Sequence, residues 1–301
     1  MEPSRWCIVL KCAAAVLLIA AVDAQSEKQF RLPKATKPIA YDIELAVDLE
    51  ESMFSGSVKI ELEAVQQTTV LALNAKDLAL SNIALTDHNG ERMGISSWGD
   101  QNGSEIVRFN LESPLEYPRT YFMNIQFAGI ITGDLKGLYR SSYYQATEER
   151  FIGSTFNAAA YARRIFPCYD EPHLKAKFKL SVQHATDLHV LSNMHVESRT
   201  NLTNPENVSL TIFAQSPPMS TYLFAFVLSD YGELRLDSQF AAHAPLGIVN
   251  TTGYALNFTK TAIEYLAKFF KRPYQLSKLD IVTIDDFLLG AMENWGLITF
   301  K

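Results

Sequence analysis

The strongest constraint on the fold of this chain is a period-two alternation of apolar and polar residues that sets in at about Leu32. Tyr41, Ile43, Leu45, Val47 and Leu49 interleave with Asp42, Glu44, Ala46, Asp48 and Glu50. Phe54, Gly56, Val58, Ile60 and Leu62 repeat the pattern, with Ser57, Lys59, Glu61 and Glu63 opposite. Successive strand side chains point to opposite faces, so each run predicts a strand with one dry and one wet face. Further strands are expected at residues 69–73, 106–111, 121–128, 177–183, 208–214 and 221–228, separated by the turn-rich His88-Asn89-Gly90, 100–103 and 201–207. Residues 156–164 predict a loop or brief helix, and Pro217-Pro218 an ordered bend. No strand–helix alternation is present in this part. The fold expected is mainly β: a large antiparallel β-sandwich or saddle ending near Ser229.

The texture then changes. Residues 255–270 predict a long helix with Thr259, Ile263, Leu266, Ala267 and Phe270 on one face and Asn257, Lys260, Glu264 and Lys268 on the other. Thr251 or Thr252 is the expected cap. A strand at 279–284 and a last short strand at 297–300, entered through Gly296, complete the pattern. A helix and two strands over roughly 70 residues make an incomplete start of an α/β domain, too little to close one.

Composition sets outer limits. A chain of 301 residues, 48% apolar and 20% charged, can bury one large core or two ordinary ones. A net charge of -6 argues against nucleic acid as a partner. Near the N-terminus, Arg5 and Lys11 precede an apolar run from Cys12 to Val22, and Val22-Asp23-Ala24 offers small residues for cleavage. Residues 1–24 therefore read as a signal peptide, with a retained anchor or a buried helix as alternatives; the run falls short of the ~20 apolar residues that span a bilayer. This predicts the secretory pathway and an extracellular or cell-surface protein. Five Asn-x-Ser/Thr sequons, at Asn102, Asn201, Asn207, Asn250 and Asn257, then become candidate glycan sites. Cys7 and Cys12 leave with the signal, so Cys168 stands alone; with no histidine close in sequence it reads as a small buried hydrophobe.

Two segments carry possible chemistry. In Gly290-Ala291-Met292-Glu293-Asn294 the glycine permits a tight turn near a ligand, and Glu293 supplies a carboxylate suited to a cationic amine. The residues after it can offer strand-like hydrogen bonds to an extended peptide. Taken alone, Glu293 reads as a solvated loop acid beside a buried Trp295, since a lone glutamate near glycine is common. In residues 167–172, Asp170 and Glu171 are adjacent and so point apart on extended backbone. They read as structural partners for Arg163, Arg164 or Lys175. His88, His173, His184, His189, His195 and His243 are scattered without ligand spacing and read as non-ligands.

Taken in order, these segments resemble the N-terminal part of an M1-family zinc aminopeptidase (a gluzincin) of the aminopeptidase N type. The resemblance begins at Arg31-Leu32-Pro33 with Tyr41 and runs through Gly137-Leu138-Tyr139-Arg140-Ser141. It continues over residues 162–172 with Lys175-Ala176-Lys177-Phe178, then Met219-Ser220-Thr221-Tyr222-Leu223 and Lys278-Leu279-Asp280, and closes on Gly290-Ala291-Met292-Glu293-Asn294. It implies a β domain over 25–229 and, over 230–301, the start of a thermolysin-like catalytic domain. Glu293 would hold the free α-amino group of a peptide, and residues 290–294 would line the cleft as a strand-like edge. In complete family members zinc, held by two histidines and a distal glutamate, activates water. No His-Glu-x-x-His occurs in this sequence. The chain as given is therefore expected to bind no zinc and to be inactive: the N-terminal portion of an enzyme that removes N-terminal residues from peptides. The alternative is a naturally short, secreted, non-catalytic relative that binds protein partners; no Ser/His/Asp or Cys/His pattern supports another hydrolytic mechanism. Membrane association would come only through a missing C-terminal portion or a retained signal. One departure concerns the amine: Phe156 stands at the substrate-binding position where the family commonly has a second polar contact, so it would offer the amine a weaker cation–π contact instead of a hydrogen bond, and Tyr161 stands where the family commonly has Asp.

Overall fold

The computed structural model describes residues 30–100 and 103–301. The expected signal peptide and the Asn102 sequon lie outside the described residues. The described strands are β1 (Thr36–Asp48), β2 (Met53–Ala64), β3 (Thr68–Asn74), β4 (Ala79–Asp87), β5 (Arg92–Met93), β6 (Ile95–Asp100), β7 (Ile106–Leu115), β8 (Arg119–Ile130), β9 (Gly137–Gln145), β10 (Glu148–Phe156), β11 (Lys177–Ala185), β12 (His189–Ser192), β13 (Val196–Asn201), β14 (Val208–Phe213), β15 (Phe226–Ser229), β16 (Gly232–Arg235), β17 (Phe240–Ala244), β18 (Leu279–Thr283), β19 (Ala291–Met292) and β20 (Leu297–Phe300). A long helix, α1 (Gly253–Phe270), connects β17 to β18.

The strands form an eight-stranded sheet ordered β13-β14-β11-β1-β2-β8-β4-β5, a three-stranded sheet β3-β7-β6, a four-stranded sheet β12-β15-β10-β9 and a five-stranded sheet β16-β17-β18-β20-β19. The mainly β architecture with a helical start of an α/β unit is the one expected. The large sheet departs from pure antiparallel pairing at its centre, where β1 and β11 run parallel in the register Tyr41↔Phe178, Ile43↔Leu180. The long stretch between those strands, with its own sheets, supplies the crossover a parallel pair needs. The expected strand at 221–228 is also shorter: Thr221–Leu223 forms a 3-10 turn, and pairing starts only at Phe226.

Alternation in β1 and β2 buries Tyr41, Ile43, Leu45, Val58, Ile60 and Leu62 in one large core. Tyr41 stacks on Phe178 at 4.8 Å, and its hydroxyl accepts a hydrogen bond from the Tyr169 N–H at 3.0 Å. Residues 167–172 are thereby fastened to the first strand. Asp170 and Glu171 do point apart. Asp170 accepts from Arg163 Nε at 3.0 Å, whereas Glu171 accepts from Arg31 at 3.0 Å and from the Leu32 N–H at 2.8 Å. Arg164 instead pairs with Asp134 and Asp77. Cys168 is fully buried, and that burial pushes its thiol pKa well up, as befits an inert core residue.

The C-terminal segment packs on two sides. Val282, Ile284, Phe287, Met292 and Leu297 join the large core, while Phe240, Ala242, Leu279 and Ile281 meet Leu256 and Ile263 of α1 in a second cluster. The helix is less covered than its sequence suggests. Leu256 is its one buried residue, and Leu266 and Phe270 of the expected inner face are exposed, as are Tyr254, Phe258, Tyr265 and Phe269. Thr252 stands at the N-cap, as expected, but makes no side-chain cap bond: Thr251 and Thr252 donate backward to the Ile248 and Val249 carbonyls, completing the 3-10 turn before the helix.

The β16–β17 turn offers a pH test. Lys260 donates to Asp237 at 2.8 Å, the Gln239 and Phe240 N–H groups also donate to it, and together they hold its carboxyl at about 2, below its ordinary 3.8. A depressed folded pKa means that the stabilisation is present above the ordinary value and lost as pH falls toward about 2. Asp237→Asn is expected to lower the melting temperature at neutral pH, with the gap from wild type closing over that acid window. A gap that stays constant with pH would show that the carboxylate charge contributes nothing.

Candidate functional site

After β18 the chain turns through Asp285 and Asp286, reaches Gly290, and returns as β19, the edge strand of the five-stranded sheet. β19 pairs antiparallel with β20 through Ala291↔Phe300 and Met292↔Thr299, and the Lys301 N–H donates to the Gly290 carbonyl at 3.0 Å. Burial alternates along the segment: Ala291 and Glu293 face outward, Met292 and Asn294 inward. Among the described residues, Glu293 has no ion-pair partner. It lines an apolar groove of about 590 Å³ whose walls include Pro217, Pro218, Phe270, Tyr274 and Trp295. Trp295, expected to be buried, is 39% exposed. The turn after it is tight: the Leu297 N–H donates to the Asn294 carbonyl at 3.1 Å, and Gly296 takes φ of +74°. Asn294 is buried with its amide nitrogen unpartnered.

Phe156 closes β10 and is only 3% exposed. Its ring stands edge-on to Phe287, with centroids 5.5 Å apart at 90°, and it shares the large core with Met292. Phe156 is thus buried in the same large core that receives Met292, whereas Glu293 stands on the exposed side of its segment. Tyr161 immediately precedes the short helical turn Ala162–Arg164.

Three supports of the segment are silent in a linear reading. Ser141 Oγ donates to Asp286 Oδ2 at 3.1 Å and accepts from the Asp286 N–H at 3.2 Å, which ties the loop to β9. Asn193 donates to the Trp295 carbonyl at 2.8 Å, and Lys278 to the Gly296 carbonyl at 2.8 Å. Ser141 and Lys278 lie inside segments that carry the family resemblance; nothing local distinguishes Asn193 or Asp286.

Among the described residues, no group of three or more His, Cys, Asp or Glu is placed to hold a metal ion. The nearest approach is His243, whose Nε2 lies 3.6 Å from Asp280 and 4.0 Å from Glu233. Asp280 is already bonded to the Lys278 ammonium at 2.8 Å, so a cation there would meet a positive charge. The other histidines are dispersed: His184 bonds the Ala185 carbonyl and Thr211, His189 bonds Arg199, and His195 bonds Ser277. Four sequon asparagines, Asn201, Asn207, Asn250 and Asn257, are exposed.

Comparison with known proteins agrees with this architecture. Residues 37–223 match the peptidase M1 N-terminal domain, and residues 254–301 match the peptidase family M1 domain. Aminopeptidase A of Gloydius brevicauda is 36% identical over 278 residues, covering 90% of this chain and 29% of that protein. Glutamyl aminopeptidase of Bos taurus is 35% identical over 285 residues, 91% of this chain and 29% of that protein. Aminopeptidase N of Oryctolagus cuniculus is 33% identical over 290 residues, 91% of this chain and 30% of that protein. The chain spans about three-tenths of the length of these relatives. With its N-terminal β sheets and the opening of the α/β unit both matched in order, the chain belongs to the M1 family of aminopeptidases.

Proposed function

We propose that this chain is the N-terminal, substrate-orienting portion of an extracellular zinc metalloaminopeptidase that removes N-terminal residues from peptides, and that it is inactive by itself. The single observation that carries the reading is Glu293: an exposed carboxylate without an ion-pair partner among the described residues, held beside an edge strand and an apolar groove. An extended peptide adding to that edge would bring its terminal ammonium to a carboxylate, with the edge backbone holding the peptide in register. Phe156, apolar and buried, denies the amine the second polar contact common in the family, so the preference for a free amine rests on Glu293 alone. In this reading residues 25–229 are the β unit and 230–301 the start of the catalytic domain. The names of the relatives support peptides with a free N-terminus as the substrate class.

Zinc is the cofactor that the family resemblance implies, but the described residues do not fit it. At His243, which faces two carboxylates, the Lys278 ammonium already holds Asp280, and His173 and His88 each lie near a single carboxylate, so these residues offer zinc no ligand set. Orientation of a substrate without an activated water gives no comparable hydrolysis.

The test uses two proteins. The secreted, glycosylated 301-residue chain is expected to carry no stoichiometric zinc and to leave aminoacyl arylamides intact. A chain extended to the length of its relatives through the reading frame after the Lys301 codon, and containing His-Glu-x-x-His, is expected to hydrolyse them. One tightly held zinc in the short chain, with hydrolysis abolished by a chelator, would overturn the proposal.

A further inference from the structure

Lys278 sits in a buried cluster between β12 and β18. Its side chain is 12% exposed, and all three ammonium protons are used: on the Ser192 carbonyl, on Asp280 Oδ2 at 2.8 Å and on the Gly296 carbonyl at 2.8 Å. Burial lowers the pKa of this ammonium, and the Asp280 carboxylate opposes the shift. Beside it Asn193 is equally committed. Its amide donates to the carbonyls of Leu223 and Trp295, each at 2.8 Å, and its oxygen accepts from the Ala225 N–H at 2.9 Å. Two consecutive carbonyls, Trp295 and Gly296, are thus gripped by two buried side chains from separate elements.

The backbone leaves this junction no slack. A Cβ on Gly296 would lie 2.0 Å from the Asn193 carbonyl oxygen, so glycine lets the two chains press together there, and φ of +74° suits no branched residue. The Asp280 N–H also donates to the Gly296 carbonyl at 3.0 Å. Glu293 lies two residues before the first gripped carbonyl, and its other flank is held by the Lys301–Gly290 and Ser141–Asp286 bonds. A carboxylate on an otherwise exposed edge gains its direction from backbone fixed at this depth.

We infer that Lys278 and Asn193 are positioning residues for amine recognition: by holding the Trp295 and Gly296 carbonyls they aim the Glu293 carboxylate at the terminal ammonium of the peptide. The inference rests on the reading of Glu293 as amine receptor. A misplacement of about 1 Å at a binding group can cost on the order of 100-fold, so a loosened grip has measurable consequences.

The test compares Lys278→Met, which keeps the stem and removes the ammonium, with Asn193→Ala as a second route if the first fails to fold, and with Glu293→Ala. In the 301-residue chain, amide hydrogen exchange at Asp280 and Leu297 is expected to rise at least about tenfold relative to the α1 amides in the first two variants. In the chain extended to its relatives' length, the ratio of kcat/KM for a free-amine peptide arylamide to that for its N-acetylated counterpart is expected to fall about tenfold or more. A merely structural loss would lower both substrates together and leave the ratio alone. If Glu293→Ala lowers the ratio while both other variants leave it unchanged, positioning by Lys278 and Asn193 is refuted and the amine reading stands. If Glu293→Ala also leaves it unchanged, the amine reading falls and the positioning role falls with it.

Discussion

Arg163→Ala is expected to destabilise the chain by about 3–5 kcal/mol at neutral pH, the range for breaking a buried ion pair by removing one partner. Arg163 and Asp170 have side chains only 12% and 1% exposed, and the guanidinium also reaches Glu105 at 3.1 Å and the Asp170 carbonyl at 3.4 Å. Burial raises the pKa of the Asp170 carboxyl, and the Arg163 guanidinium opposes the shift without cancelling it. Removing the guanidinium leaves only the backbone N–H of residue 163 to oppose the burial penalty and raises that pKa further. A carboxyl whose folded pKa exceeds its unfolded one binds more protons when folded, so stability falls as pH rises through that window. The loss in Arg163→Ala should therefore be larger at pH 7 than near pH 4, because protonation of Asp170 as pH falls removes the uncompensated charge. Replacing both residues by apolar ones of similar size should recover much of it. Urea denaturation of the three proteins at both pH values measures this. A loss below about 1 kcal/mol at pH 7, typical of an exposed pair, would mean that the cluster does not hold the 162–172 segment.

That segment also illustrates how far the chain can be read without its fold. The divergence of Asp170 and Glu171 follows from extended backbone alone, and the structure sends one to Arg163 and the other to Arg31. The choice of partner is not legible in sequence: Arg31 is far away along the chain, and Arg164, equally close, turns to Asp134 and Asp77. Strands are legible where one face is wet and the other dry. β1 and β2 alternate because one face is solvated. β15 and β17 are buried on both faces and β13 is exposed throughout, so none of them carries a period. The 3-10 turn at Thr221–Leu223 escapes a linear reading for the same reason, since a run of apolar residues does not state whether it is extended. Helix α1 follows from its spacing, but the threonine at its N-cap makes no side-chain cap bond, because a threonine hydroxyl can bond backward as well as forward.

The candidate site divides along the same line. The loop sequence around Glu293 is legible by resemblance, and the structure adds its setting on an edge strand with alternating burial. Two of its three supports, Ser141 and Asn193, lie more than 100 positions from the groups they hold. Side chains that hold a backbone carbonyl leave no local pattern, because any buried donor at that point in space could serve. Phe156 is an intermediate case. Its departure from the family's polar residue is visible in sequence, whereas its edge-on packing against Phe287 requires the fold.

Glu293→Ala in a chain extended to the length of its relatives is expected to cost roughly 2–4 kcal/mol in kcat/KM on free-amine peptides, about 30- to 1,000-fold. That range corresponds to removing one charge-assisted hydrogen bond from surroundings drier than water. The groove beside Glu293, walled by Pro217, Pro218 and Phe270, provides such surroundings once a peptide fills it. With Phe156 apolar and buried, no second polar group at that position softens the loss. The comparison that isolates the ammonium–carboxylate pair is hydrolysis of the same peptide arylamide with a free and with an acetylated N-terminus. Acetylation removes the ammonium but also adds an acyl group, so the charge interaction is reported by the change in preference between wild type and Glu293→Ala, in which the acyl term is common to both. Glu293→Ala should bring the two substrates close to parity, while Glu293→Asp, with the charge kept on a shorter stem, should retain part of the preference. A variant series in which both replacements leave the preference intact would show that the ammonium is held elsewhere and that the 290–294 segment serves only as an edge strand.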